Sequence, residues 1–140
     1  MAGPLEGVRI IDLTTMISGP LGAMILADQG ADVIKIEPPR GDNTRHAATR
    51  RNGFSASFLN NNRNKRSVVL DLKKDGAVDA LMRLVAGADV VMQNFRPGVV
   101  DRLGIGYEAA KAVRPDIVYA SIAGFGETGP YAHKPVFDPL

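Results

Sequence analysis

The side chains with the most chemical potential in this chain are basic and clustered. Arg45, Arg50, Arg51, Arg63, Lys65, Arg66, Lys73 and Lys74 fall within residues 45–74 against the single acid Asp71, although the whole chain carries a net charge of only +2. Such a band suits an anionic partner: a phosphate-bearing ligand, nucleic acid or an acidic protein surface. Taken alone, it reads first as an exposed loop whose charges keep it soluble. A second candidate is Ser18-Gly19-Pro20, which opens a helical pattern. The free N–H groups of a helix start can hold a phosphate or carboxylate.

Other chemistries find little support. The turn at Ser18-Gly19-Pro20 lacks G-x-G-x-x-G, and no Walker A sequence occurs, which disfavours a nicotinamide or ATP site. His46 and His133 are far apart and belong to no metal-ligand motif, so no metal is expected and both read as exposed loop histidines. Ser18 and Ser121 lack the G-x-S-x-G setting of a serine hydrolase. Phe54 and Phe58 lie beside basic residues, but the recognised RNA-binding patterns are missing and no nucleic-acid partner is expected.

The elements that must position these residues follow from periodicity. Gly7–Leu13, Val33–Ile36, Ser67–Leu72, Val90–Met92 and Asp116–Ile122 are β-branched apolar runs and predict five strands. Between them, a helix starts near Pro20 and stops at Gly30. A second spans Asp75–Gly87 with Val78, Leu81, Met82 and Val85 at i, i+3, i+4, i+7, and a third spans Tyr107–Val113 before Pro115. Residues 43–64 are polar without clear period and are expected to be irregular, Asn60–Asn64 most of all. Alternating strands and helices predict an α/β fold, a Rossmann-like parallel sheet with helices on both faces. Ligands of such sheets bind beyond the carboxyl ends of the strands. That makes Thr14–Gly19, Glu37–Arg45, Asn94–Gly98 and Ala123–Lys134 the candidate loops.

The bulk properties agree with one globular unit: 140 residues, 45% hydrophobic, 23% charged. The absence of cysteine excludes a disulfide-stapled mini-protein and is compatible with a reducing compartment. No apolar run approaches the roughly 18 residues of a membrane span. A basic n-region followed by an apolar h-region is also missing, so a cytoplasmic location is expected. The last residues place apolar Val136, Phe137 and Leu140 where a packed element or polar tail is usual, which reads as a chain continuing in a longer protein.

Four long segments carry a resemblance. DLTTMISGPLGAMILADQGADVIKIEPPRGD, NNNRNKRSVVLDLK, ADVVMQNFRPGVVDRLGIGYE and PDIVYASIAGFGETGPY, in this order, resemble the amino-terminal part of the family III CoA-transferases. That family groups formyl-CoA and carnitine CoA-transferases with the α-methylacyl-CoA racemases. The resemblance implies that residues 1–140 are the amino-terminal part of a large CoA-binding domain, with the remainder of the fold absent. It also implies an interlocked homodimer for the full-length protein, with an acyl-CoA and a carboxylic acid as substrates.

By the same resemblance, CoA contacts fall on Met16, Ile17, Ser18, Leu70, Lys73, Asn94, Phe95, Arg102, Leu103 and Lys134. Arg40 is the nearest substitute for a basic residue that the family often carries at the position of Pro38. Charge-assisted contacts from Arg40, Lys73, Arg102 and Lys134 suit the 3′-phosphate and pyrophosphate of CoA. The nucleophilic aspartate is expected beyond Leu140, with Asp138 as an accessory acidic group. Phe137 stands where the racemases place a histidine base, which favours transferase over racemase. The alternatives are a racemase-like protein and a non-catalytic CoA-binding module.

Overall fold

A computed structural model describes residues 3–47, 49–126 and 128–136. Among the described residues there are seven strands, Arg9–Asp12 (β1), Asp32–Glu37 (β2), Arg50–Arg51 (β3), Phe54–Ser55 (β4), Lys65–Val69 (β5), Val90–Gln93 (β6) and Val118–Ser121 (β7), and five helices. The helices are Ser18–Asp28 (α1), Ala56–Asn62 (α2), Ala77–Ala86 (α3), Val99–Arg102 (α4) and Tyr107–Val113 (α5), with a short 3-10 turn at Asn43–Arg45.

Five strands form one sheet in the order β5-β2-β1-β6-β7, and every pairing is parallel. The period-two alternation of β-branched side chains divides the core between the two faces. Ile11, Leu13, Ile34 and Ile36 point to one side and pack with Leu81 and Val85 of α3 and Ala110 of α5. Ile10 and Val33 point to the other and pack with Ala23 and Ala27 of α1. The expected Rossmann-like sheet with helices on both faces is therefore the observed one. After β1 the chain builds outward through β2 to β5, then returns to place β6 on the opposite side of β1. Such a reversal leaves a crevice at the carboxyl ends of β1 and β6.

Two expectations need correction. The third sheet strand is Lys65–Val69 and not Ser67–Leu72, because its register against β2 begins at Val33↔Lys65 and its first side chain turns inward. The described residues of 43–64 are not irregular throughout. They hold the 3-10 turn, a β3–β4 hairpin and helix α2, and Asn60–Asn62, expected to be the most irregular, form the last part of α2. Apolar periodicity missed this helix because Asn61 and Asn62 are buried on it. Asn62 Nδ2 donates to Phe58 O at 3.0 Å and its Oδ1 accepts from Lys65 Nζ at 2.9 Å. The hairpin did have a signal: Asn52-Gly53, with φ of 52° and 82°, is the Asn-Gly pair preferred in tight hairpin turns.

The side chain of Ser55, itself buried, starts α2 by accepting from Phe58 N at 3.3 Å. Ser55→Ala is expected to lower stability by about 1 kcal/mol through loss of this cap. A denaturant midpoint unchanged from wild type would show that the cap is not limiting.

Candidate functional site

The loop leaving β1 is held one residue at a time. Asp12 Oδ1 accepts from Thr14 N at 2.9 Å and Thr14 Oγ1 at 2.5 Å, while Lys35 Nζ donates to Thr14 O at 2.8 Å. Asn94, at the exit of β6, accepts from Thr15 N at 2.9 Å and donates to Thr15 O at 2.8 Å, as a neighbouring strand would. Met16 follows with φ of 70°, a left-handed conformation that non-glycine residues adopt reluctantly, and its N–H points to Asp42 Oδ1 at 3.4 Å. Helix α1 then begins. Its Gly19 lies against the Thr14 side chain, leaving no room for a Cβ. Ser18 is the first helical residue and Ile17 the cap position, with no side-chain cap; Pro20 stands in the first turn, as expected.

The β6 loop is fixed through Gln93, whose Nε2 donates to Ser121 Oγ at 2.9 Å and whose Oε1 accepts from Phe95 N at 2.8 Å. Phe95 is half-buried against the core. From the segment after β7, Lys134 places its ammonium 5.0 Å from the Tyr131 ring centroid and 5.7 Å from that of Phe125.

These three loops enclose a cleft of about 610 Å³ at the point of strand reversal. It gathers Met16, Ile17, Ser18, Asn94, Phe95 and Lys134 from the candidate set, together with Arg96, Pro97 and Phe125. A second cleft of about 560 Å³ lies across the Phe95-Arg96-Pro97 ridge and holds Arg102, His133, Tyr107 and Ser121. Apolar walls with a few cations at the rim can receive a long flexible chain ending in phosphates. Arg40 and Lys73 are exposed, and Leu70 and Leu103 pack against the core; none of these four lines either cleft. Asp138 and Phe137 lie outside the described residues. His46 is exposed, with Nε2 3.1 Å from Arg40 O. Among the described residues no cluster of three or more His, Asp and Glu could hold a metal ion, and no helix is long and apolar enough to cross a membrane.

Part of the basic band turns inward and part forms ion pairs at the surface. Lys65 pairs with Asp12 at 2.8 Å, and Arg45 with Glu37 at 2.6 Å. Arg63 pairs with Asp28 at 2.5 Å, and Arg66 with Asp32 at 2.7 Å. Half of the eight cations thus neutralise acids from β1, α1 and β2, while Arg50, Arg51, Lys73 and Lys74 make no ion pair among the described residues. Below the cleft this produces a buried polar block that apolar patterning did not foresee. In it Lys35, Lys65, Asp12, Glu37, Asp42 and Thr44 join the ends of β1, β2 and β5 to the loops. Glu37 accepts from Arg45 Nε and Nη2, from Ser67 Oγ and from Asp42 N. Burial alone would raise its pKa, but these donors prevail and hold it at about 2. Burial pushes the Lys65 ammonium below its ordinary range despite the adjacent Asp12. The one sequence signal for the block was a lysine inside the apolar run Val33-Ile34-Lys35-Ile36.

A doubly wound parallel sheet with its cleft at the strand reversal defines the class: a Rossmann-like α/β domain. The family model for CoA-transferase family III matches residues 5–140, and the chain belongs to that family. It is 48% identical over 99% of its length to acetyl-CoA:oxalate CoA-transferase of Acetobacter aceti, of which it covers 36%. It is 43% identical over 98% of its length to succinyl-CoA:glutarate CoA-transferase of Mus musculus, of which it covers 32%. Among solved structures, a CAIB/BAIF family protein from Brucella suis superposes with a TM-score of 0.93 at 41% identity, covering 99% of this chain and 38% of that one. The chain therefore spans about a third of the length of the relatives it matches.

Proposed function

We propose that this chain is the CoA-holding part of an enzyme that moves coenzyme A from an acyl-CoA to a carboxylic acid. The observation that carries the reading is the convergence of Met16–Ser18, Asn94–Phe95 and Lys134 on one cleft at the strand reversal. The names of both curated relatives also pair an acyl-CoA with a carboxylic acid. In this reading residues 1–140 form the amino-terminal part of a larger CoA-binding domain, which fits the third of its relatives' length that the chain spans. The whole protein works as a cytoplasmic homodimer.

The chemistry needs a carboxylate nucleophile, which we place on an aspartate beyond Leu140, with Asp138 accessory. Attack on the thioester carbonyl breaks the C–S bond, expels CoA thiolate and forms a mixed anhydride. The thiolate then attacks the aspartyl carbonyl, releasing the donor's acyl group as a carboxylate and leaving an aspartyl–CoA thioester. An incoming carboxylate reverses the two steps. Throughout, the free thiolate must be retained, and this chain's residues do that. Lys134 and Arg102 neutralise phosphates, Phe95 packs on the apolar arm, and Met16–Ile17 shield the cleft mouth. Arg40 and Lys73, exposed and outside both clefts, serve at most the outlying 3′-phosphate; Leu70 and Leu103 support the cleft from the core.

Titrating CoA into the 140-residue protein in a calorimeter tests this reading. We expect saturable 1:1 binding, weakened roughly tenfold by Lys134→Ala or Arg102→Ala, the loss of one charge-assisted contact. No binding at millimolar CoA would overturn it. The same protein is expected to transfer no CoA between succinyl-CoA and oxalate, and measurable transfer would refute the placement of the nucleophile beyond Leu140.

A further inference from the structure

Lys35 lies in the second-innermost position of the sheet, on β2, and is 1% exposed. Its register partners are Asp12 on β1 and Ser67 on β5. An ammonium there has lost its water, and a methionine would fill the same space without that penalty. What the charge does is local. Lys35 Nζ lies 2.8 Å from Thr14 O and 3.1 Å from Asp42 Oδ2. The other oxygen of Asp42, a residue 1% exposed, accepts from Thr44 N at 2.9 Å, from Thr44 Oγ1 at 2.8 Å and from Met16 N at 3.4 Å. The pair therefore grips the loop on both sides of Thr15, whose own backbone Asn94 holds. Three consecutive residues are clamped, and the third has the left-handed φ of 70°. Backbone in such a region persists only where its surroundings over-determine it. Neither Lys35 nor Asp42 lines a cleft, whereas Thr15 and Met16 do.

We propose that the buried Lys35–Asp42 pair is a positioning device for acyl-CoA: it sets the backbone of Thr14–Met16 in the shape that receives the ligand, without touching it. This rests on the CoA-binding reading above. Binding loops lose affinity when their supporting contacts let them drift by about 1 Å.

The deciding variant is the charge-neutral double Lys35→Met/Asp42→Asn. It leaves no orphan charge, and the asparagine oxygen can still accept from Thr44 and Met16. The expected result is roughly tenfold weaker CoA binding by calorimetry, amide shifts in a 1H–15N spectrum centred on residues 14–18, and a thermal midpoint within about 5 °C of wild type. A merely structural pair would instead lower the midpoint and leave the affinity of the folded fraction intact, which overturns the proposal. If the double variant does not fold, Asp42→Glu serves, which keeps a carboxylate opposite Lys35 but lengthens its arm by one methylene, with the same loss expected and unchanged affinity overturning the proposal. Wild-type protein that fails to bind CoA would overturn both readings. Wild-type binding with unchanged affinity in the variants would overturn the positioning role alone.

Discussion

Asp12→Ala is expected to destabilise this protein by about 3–5 kcal/mol, the usual consequence of removing one partner from a buried ion pair. Asp12 is fully buried at the end of β1, and Lys65 enters from β5 to meet it, with side-chain exposures of 0% and 2%. The ammonium donates to Asp12 Oδ2 at 2.8 Å, Pro20 O at 2.8 Å and Asn62 Oδ1 at 2.9 Å. Without the carboxylate it keeps two neutral acceptors and, as counter-charge, only the more weakly acting Asp42, and Thr14 loses both bonds to Asp12 Oδ1. A sign test accompanies the magnitude. Lys65 already has a pKa below its ordinary 10.5 because of burial, and losing Asp12 lowers it further. The unfolded chain then binds more protons than the folded one over that interval, so the deficit of the variant should narrow as pH rises toward 10.5. Denaturant unfolding of Asp12→Ala and of Asp12→Asn/Lys65→Met at pH 7 and 9.5 measures this. The double variant is expected to recover most of the stability, since no charge is left unpaired. A loss below about 1 kcal/mol in Asp12→Ala would show that the pair is not closed to water.

The second large effect is acid sensitivity centred on Glu37. Its carboxylate is 2% exposed and is ionised down to about pH 2, against an ordinary value of 4.5. A depressed folded-state pKa stabilises the fold fully above 4.5, and that contribution is lost as pH falls through the interval to about 2. The size is about 3 kcal/mol for this shift. Glu37→Gln keeps the shape but removes the titration. The wild type should therefore exceed the variant at pH 6, with the gap closing progressively between pH 4.5 and 2. Asp28 and Asp32 are also held below their ordinary 3.8, so the variant retains a shallower slope of its own. A gap independent of pH would assign the effect to packing, and Glu37 would not be the acid-sensitive group.

Both predictions concern the polar block that joins the strand ends to the cleft, the feature least visible in the sequence. What the sequence determined by itself was the alternation of elements. Ile10, Ile11, Val33, Ile34, Val90 and Val91 are β-branched residues in short runs, and Leu81 and Val85 recur at helical spacing. Local periodicity therefore carried the five strands, three of the helices, the parallel sheet and the loops at its carboxyl end. The long collinear motifs likewise carried the family. Periodicity reports apolar burial, and it is silent where the buried face is polar. Helix α2 was missed because Asn61 and Asn62 are on its inner side, although Asn52-Gly53 announced the hairpin before it.

Only the tertiary structure decided the fate of the basic band. Lys65 and Asp12 are 53 positions apart and Arg63 and Asp28 are 35, so no local window pairs them. It also decided that Asn94 uses its amide on Thr15 and that Lys134 rather than Lys73 reaches the cleft. The physical reason is common to all of these. An apolar side chain is buried by any neighbour that excludes water, so its own pattern suffices to place it. A charged or amide group can be buried only opposite one particular partner, and which partner arrives is fixed by the fold as a whole.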